Sequence, residues 1–333
     1  MAGATVQSAY SVDDSGGTAT TASIALTSVT AGNLLASFVG WSDGAGTITC
    51  TVSDGTAYTS GASKLTGGTD AQASQVFYLP NAGSGTHTSV ATFSSTTTFR
   101  RHRIDEYSGL ATASPIDQAT GQQQNTPGTG ADAISSGTTS TTANANCFVV
   151  GYTQNTTEID PGTGTLTAGS GYTIFGTNKI MGVETKSVSA TGAQTATFTQ
   201  SVNNSHTTHV IAFKEAATAP TINTQPTNQQ GPEFGSATFT VAATTSGGSL
   251  SYQWKLDTGG GFANVGTNAA TYTPSPLRPI DAGSVKCDVT DSNGTTTTRT
   301  VTLSVIPYDK TVLQRRKRRK KGIGRLINVK AWM

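Results

Sequence analysis

Ser251-Tyr252-Gln253-Trp254, then Asp281-Ala282-Gly283-Ser284-Val285-Lys286-Cys287, then Asp291-Ser292-Asn293-Gly294 are the stretches whose reading decides the fold. The first two read as strands. The third carries the Asn-Gly signal of a tight hairpin, so the chain should turn there into a further strand over Thr295–Val305. Ile222-Asn223-Thr224-Gln225-Pro226 and Ala237-Thr238-Phe239-Thr240-Val241-Ala242-Ala243 read as two strands upstream of these. Working outward, the same texture fills the chain: runs rich in Thr, Val, Phe and Tyr recur about every ten residues between Gly, Asn and Asp turns. Charged residues make up only 12% of the 333, there are 38 glycines, and no sustained helical period of apolar residues occurs. The expected class is all-β.

The strands just quoted resemble strands A, B, C, F and G of an immunoglobulin-like domain over residues 217–306. The resemblance makes Trp254 the strand C tryptophan and Cys287 the strand F cysteine. It departs from the antibody pattern at two places: Val241 stands at the strand B position, so no inter-sheet disulfide can form, and Val285 replaces the corner tyrosine. The implied core is Val241, Trp254 and Cys287, held by packing alone. Disulfide-free domains of this type are appended to phage capsid, tail and fibre proteins.

Residues 1–216 are expected to form a large antiparallel, jelly-roll-like β-sandwich, with an internal repeat. Gly32-Asn33-Leu34-Leu35-Ala36-Ser37-Phe38-Val39-Gly40-Trp41 aligns without gaps with Ala143-Asn144-Ala145-Asn146-Cys147-Phe148-Val149-Val150-Gly151-Tyr152, and Ser89–Phe93 aligns with Gln194–Phe198. This reads as two similar half-sheets of one sandwich, joined by a surface connection over Ala119–Gly137. Glu106-Tyr107-Ser108-Gly109-Leu110 with Pro115-Ile116-Asp117 resembles a pattern of β-sandwich domains in bacterial surface and phage proteins.

Residues 307–333 differ from everything before them. Ten Lys and Arg stand against one acid from residue 309 onward, a balance of +9, which leaves 11 basic and 18 acidic residues in the body, a balance of −7. Arg315, Arg316, Lys317, Arg318, Arg319, Lys320 and Lys321 are consecutive, and Arg325, Leu326, Ile327 and Trp332 follow among further apolar residues. Cations next to apolar anchors make a docking peptide, steered by charge and held by burial. An acidic protein surface, a nucleic acid or an anionic membrane could receive it. The acidic body argues against nucleic acid.

Catalytic, cofactor-binding and metal-binding residues are expected to be none. Asp105 and Glu106 are neighbours in a strand and leave opposite faces, so they cannot flank one bond; they read as solvent-facing or locally paired acids. His206 and His209, three apart on a strand, also diverge. Asp13-Asp14-Ser15-Gly16 and Glu158-Ile159-Asp160-Pro161-Gly162 are oxygen-rich turns without an established calcium pattern. Arg100-Arg101-His102-Arg103, the one cationic cluster of the body, could contact a polyanion, but its place directly before the Ile104–Tyr107 strand reads rather as edge-strand protection or a subunit contact. Trp41, Tyr58, Tyr152, Tyr172 and Phe262 are the aromatic candidates for glycan stacking, with core packing as the competing role; Trp41 and Tyr152 are singled out as a glycan platform.

Three scattered cysteines, no secretory signal and no apolar span of membrane length fit folding in a reducing cytoplasm. The joint expectation is a non-enzymatic phage virion accessory protein, a capsid decoration or head fibre, assembled in the host cytoplasm. The major capsid or another virion protein would receive the tail, a cell-surface glycan could be a second partner, and a homo-oligomer remains open. The alternatives are a tail-associated fibre or adhesin that binds a receptor, and a bacterial surface or secreted glycan-binding module.

Overall fold

The computed structural model describes residues 2–66, 71–124, 132–155, 166–177, 180–200, 205–245 and 248–309. It divides into two compact units, Met1–Ala216 and Ala217–Met333. Both are all-β, and the helical element among the described residues is a 3-10 turn at Pro279–Asp281.

The first half of the first unit contains β1 (Ala4–Asp13), β2 (Ala19–Val29), β3 (Leu34–Ser42), β4 (Cys50–Ser53), β5 (Thr59–Ser60), β6 (Leu65–Thr66), β7 (Gln72–Leu79), β8 (Gly85–Thr97) and β9 (Arg100–Ser108). The second half contains β10 (Ile116–Gln124), β11 (Asp132–Ser135), β12 (Asn146–Asn155), β13 (Leu166–Ala168), β14 (Thr173–Thr177), β15 (Met181–Ser189), β16 (Thr197–Gln200) and β17 (His206–Lys214). Each half builds a large sheet, β1-β9-β3-β7-β5 and β10-β17-β12-β15-β14, and a small one, β2-β8-β4 and β11-β16-β13. The two orders are the same under one mapping, and each is the Greek-key order of a jelly roll: first, last, third and sixth strands adjacent in the second half, and first, last, third and seventh in the first, where the two-residue β6 pairs off the main path.

The halves are therefore two complete jelly rolls, not two half-sheets of one sandwich. Ala119 to Gln124 belongs to β10, so the strand-free connection between the halves is Gly109–Pro115. The large sheets face each other. Leu34, Phe38, Val76 and Tyr107 of the first half meet Phe148, Val150, Val183, Ile211 and Phe213 of the second in one core. Each half also closes its own core between large and small sheet: Leu35, Val39, Trp41, Phe93 and Ile104 in the first, Cys147, Val149, Phe198 and Val210 in the second. A central strand of either large sheet is thus covered on both faces. That is why β3 reads Leu-Leu-Ala-Ser-Phe-Val-Gly-Trp with hardly a polar residue.

The second unit contains β18 (Thr221–Thr224), β19 (Gln229–Pro232), β20 (Phe239–Thr240), β21 (Ala242–Thr244), β22 (Ser251–Asp257), β23 (Ala263–Val265), β24 (Thr271–Tyr272), β25 (Gly283–Asp291), β26 (Gly294–Thr297) and β27 (Val301–Ile306). One sheet runs β19-β27-β25-β22-β23, with β19 parallel to β27; the pairs β18-β21 and β20-β24 lie outside it. The first strand is therefore shared, its two pieces pairing with different partners, and the unit is an immunoglobulin-like sandwich. Ser292 and Asn293 fill the hairpin loop, while Gly294 opens β26 at φ +145°. The last strand is broken at Thr298, whose hydroxyl accepts the Cys287 amide at 2.9 Å.

Candidate functional site

The implied core of the second unit is present. Val241, Trp254 and Cys287 are buried together with Phe239, Leu277, Val285 and Leu303. Trp254 lies opposite Cys287 on neighbouring strands, and its indole Nε1–H donates to the Ala269 carbonyl at 2.9 Å. Burial pushes the Cys287 thiol up to about 11, and the same cause raises Cys50 to about 12 and Cys147 to about 11. All three stay protonated at neutral pH and serve as small apolar groups.

Trp41 and Tyr152 are 1% and 0% exposed, which removes them as a glycan platform. They are not equivalent positions either. Trp41 faces the small sheet of its own half and meets Phe93 at 5.6 Å between ring centroids, whereas Tyr152 faces the other jelly roll. On both strands the residues that face the opposite half carry even numbers, so the gapless alignment, whose offset is odd, reverses the face. Tyr58 is buried as well, and Tyr172 is packed under Lys186 at 4.3 Å; Phe262 is exposed at 39% but lies beneath Lys286 at 4.2 Å.

Arg100, Arg101, His102 and Arg103 are buried in β9, an inner strand between β1 and β3. The edge-protection and subunit-contact readings are therefore corrected: the cations serve the interior. Arg101 and Arg103 point to the seam between the jelly rolls. Arg101 donates to Gln72 at 2.9 Å and to Asp14 at 3.2 Å. The Nε–H of Arg103 reaches both oxygens of Asp105 at 2.8 and 3.0 Å. Arg100 and His102 point the other way, toward Asp13 and toward the Ser37 and Ser89 hydroxyls at 2.7 and 3.1 Å.

Asp105 and Glu106 diverge as expected, but both are fully buried and neither is solvent-facing. Glu106 accepts from Asn33 at 2.6 Å, from the Thr30 amide at 2.9 Å and from Gln7 at 2.5 Å. Around Asp105 the seam is polar: the Tyr107 and Tyr152 hydroxyls meet at 2.9 Å. Ser74 of the first half donates to Thr207 at 2.7 Å and lies 2.9 Å from His209 of the second. Burial pushes the Asp105 carboxyl up against the pull of Arg103, and burial followed by the Asp105 charge raises both tyrosines. Burial lowers His102 to about 4 and His209 to about 3.

In the seam itself Asp105 is paired with Arg103 and His209 is neutral, its Nδ1 buried without a partner among the described residues, and these groups lie between the two large sheets, so their chemistry is cohesion between the halves. His206 turns instead to Gln124 at 2.7 Å. The Asp13-Asp14 turn binds Arg100 and Arg101 rather than offering a calcium loop. Among the described residues no three His, Cys, Asp or Glu come together as a metal-binding group. No helix among them is long and apolar enough to cross a membrane. Residues 158–162 lie outside the described residues, as do the docking positions Arg315, Arg316, Lys317, Arg318, Arg319, Lys320, Lys321, Arg325, Leu326, Ile327 and Trp332.

One surface feature escapes sequence reasoning. Phe234, Ile280, Ile306 and Tyr308 are exposed at 66%, 75%, 50% and 47%, all in the second unit. Glu233-Phe234-Gly235 follows a Gly-Pro pair and reads as an ordinary turn, and Ile306 and Tyr308 flank the end of a strand. Nothing in their spacing announces that the fold brings their elements side by side.

No protein-family model matches the chain, and no curated protein does. Among solved structures, the titin M4 domain is similar at 18% identity and a TM-score of 0.23, over 27% of this chain and 97% of that one. The Ig1-2 module of the Drosophila receptor protein tyrosine phosphatase DLAR is similar at 14% identity and a TM-score of 0.24, over 56% of this chain and 98% of that one. The immunoglobulin-like assignment rests on the strand pairing of the second unit, not on these likenesses.

Proposed function

We propose that the chain is a non-enzymatic structural protein of a tailed bacteriophage particle, a capsid decoration or head fibre. Its basic, apolar-ended C-terminal segment anchors it to an acidic surface of the major capsid or another virion protein, and the β-sandwich units are displayed outward. The observation that carries this reading is the division of charge: −7 over residues 1–308 and +9 over residues 309–333. Such a chain presents one cationic handle on an acidic body. Supporting it, the described acids, histidines and thiols singled out in the sequence are engaged inside the units or in their own turns, which leaves a scaffold as the natural role for the body. The resemblance of the second unit to domains appended to phage capsid and fibre proteins supplies the context.

The reading predicts that the chain is a stoichiometric component of purified particles. Quantitative mass spectrometry, with antibody labelling viewed by electron microscopy, tests it. A fixed copy number on the head is the expected result. Absence from particles, with the protein recovered on the bacterial surface or in the medium, would replace this reading with the glycan-binding module.

A further inference from the structure

Four of the five exposed large apolar residues of the second unit stand on adjoining elements and make up one apolar patch, with Phe234 and Tyr308 in ring contact at its centre. The Glu233 amide donates to the Ile306 carbonyl and the Phe234 amide to the Leu277 carbonyl, both at 2.8 Å. The Tyr308 amide donates to the Glu233 carboxylate at 2.7 Å, and the Phe234 and Tyr308 rings meet edge to face at 6.4 Å. Ile280 stands on the 3-10 turn just beyond Leu277, against β27. The patch is held in place at a cost: Phe234 adopts φ +70°, a conformation that penalises any residue with a β-carbon, and it does so with its ring in solvent. Glu233 and Asp281 stand on the same turns, beside the exposed Arg278, whose amide donates to the Asp281 carboxylate at 2.7 Å.

The chain leaves the described residues at Asp309, directly beyond Tyr308. The segment that follows carries Ile323, Leu326, Ile327, Val329, Trp332 and Met333, with Arg325 and Lys330 among them.

We propose that this patch is the seat of the chain's own apolar segment, Ile323–Met333. Tethering is the first argument. The segment is joined to the edge of the patch by the 13 residues 310–322, and a covalent tether of that length gives an effective concentration on the order of a millimolar, enough to populate a weak contact. Complementarity is the second: apolar residues interrupted by Arg325 and Lys330 meet exposed apolar side chains whose turns carry the acids Glu233 and Asp281. The competing occupant, the same patch of a second copy, would bring two runs of seven cations together, and their repulsion opposes it. The contact itself does not depend on the virion reading; its purpose does. It would keep the anchor covered until an acidic surface draws the cations away.

The test uses the full chain labelled with 5-fluorotryptophan. Trp41 and Trp254 are buried, so the third fluorine resonance, assigned with Trp332→Phe, reports the segment. The expected result is a Trp332 resonance displaced from that of the free peptide 322–333 and unaffected by a fiftyfold dilution. Phe234→Asn with Ile280→Ser should return it to the peptide position and leave the Trp41 and Trp254 signals in place, which certifies the fold. Asn tolerates the left-handed backbone. Phe262→Ser, outside the patch, should leave it displaced. A Trp332 resonance that already coincides with the peptide, one that ignores the double substitution, or a displacement lost on dilution would overturn the proposal. None of these outcomes touches particle attachment, which is measured separately.

Discussion

Within the seam, Tyr107, Tyr152, Arg103 and Asp105 are fully buried, so removing one member leaves another without its partner. Tyr107→Phe and Tyr152→Phe should each cost about 1–2 kcal/mol by urea denaturation, and the double variant should cost less than their sum, because one hydrogen bond is lost only once. Arg103→Met, which strands the Asp105 charge, should cost about 3–5 kcal/mol. The titrating groups give a pH profile with two slopes. In the unfolded chain a histidine protonates near pH 6.5, whereas folded His102 and His209 resist until about 4 and about 3, so stability falls as pH drops below 6.5. Glu184 opposes this. Burial raises its folded pKa to about 7, so the folded chain takes up that proton first, and stability is gained between pH 7 and about 4.5. Urea midpoints should therefore decline gently from pH 6.5 to 4.5 and steeply below. His102→Gln should flatten the decline, and Glu184→Gln should steepen its upper part.

For the strands and sheets, the sequence was legible wherever one face of an element is buried in the usual way. Trp254, Cys287 and Val241 could be placed because the second unit is a plain two-layer sandwich. The jelly rolls resisted because their large sheets are covered twice. In a strand buried on both faces the polar-apolar alternation vanishes, so the face of Trp41 against that of Tyr152 could not be read from letters. The cluster Arg100–Arg103 looked like a solvated edge because nothing local signals that acids from other strands wait to pair with it. The alignment of Ser89–Phe93 with Gln194–Phe198 kept the correct face, since Ala91 and Ala196 both point from the small-sheet side into the core of their own half. Sheet spacing makes a further prediction. A β-carbon at Gly151 would lie 2.5 Å from that of Ala196, a group with no freedom to withdraw, so Gly151→Ala should cost about 1–3 kcal/mol. At Gly40 the obstacle is the amide end of Gln154, the far end of a side chain rather than a fixed β-carbon, held by a hydrogen bond to the Ala73 carbonyl at 3.0 Å. Gly40→Ala should cost less than Gly151→Ala in the same thermal melts.

Across the whole molecule, two units with separate cores should respond separately. Val241→Ala empties volume in the immunoglobulin-like unit alone, so calorimetry should show its transition lowered and that of the tandem jelly roll unchanged. The charge division that motivates the functional reading was visible from the first count of residues. The apolar patch was not, because it is assembled from a turn, a 3-10 element and a strand end that only the fold brings together. The central claim is that attachment resides in the segment after Pro307. Purified full-length chain and a chain ending at Pro307 should be compared for co-sedimentation with particles lacking the protein, at low and high salt. The account predicts that only the full-length chain binds and that salt weakens it; equal binding by both chains would contradict it and assign attachment to the sandwich units.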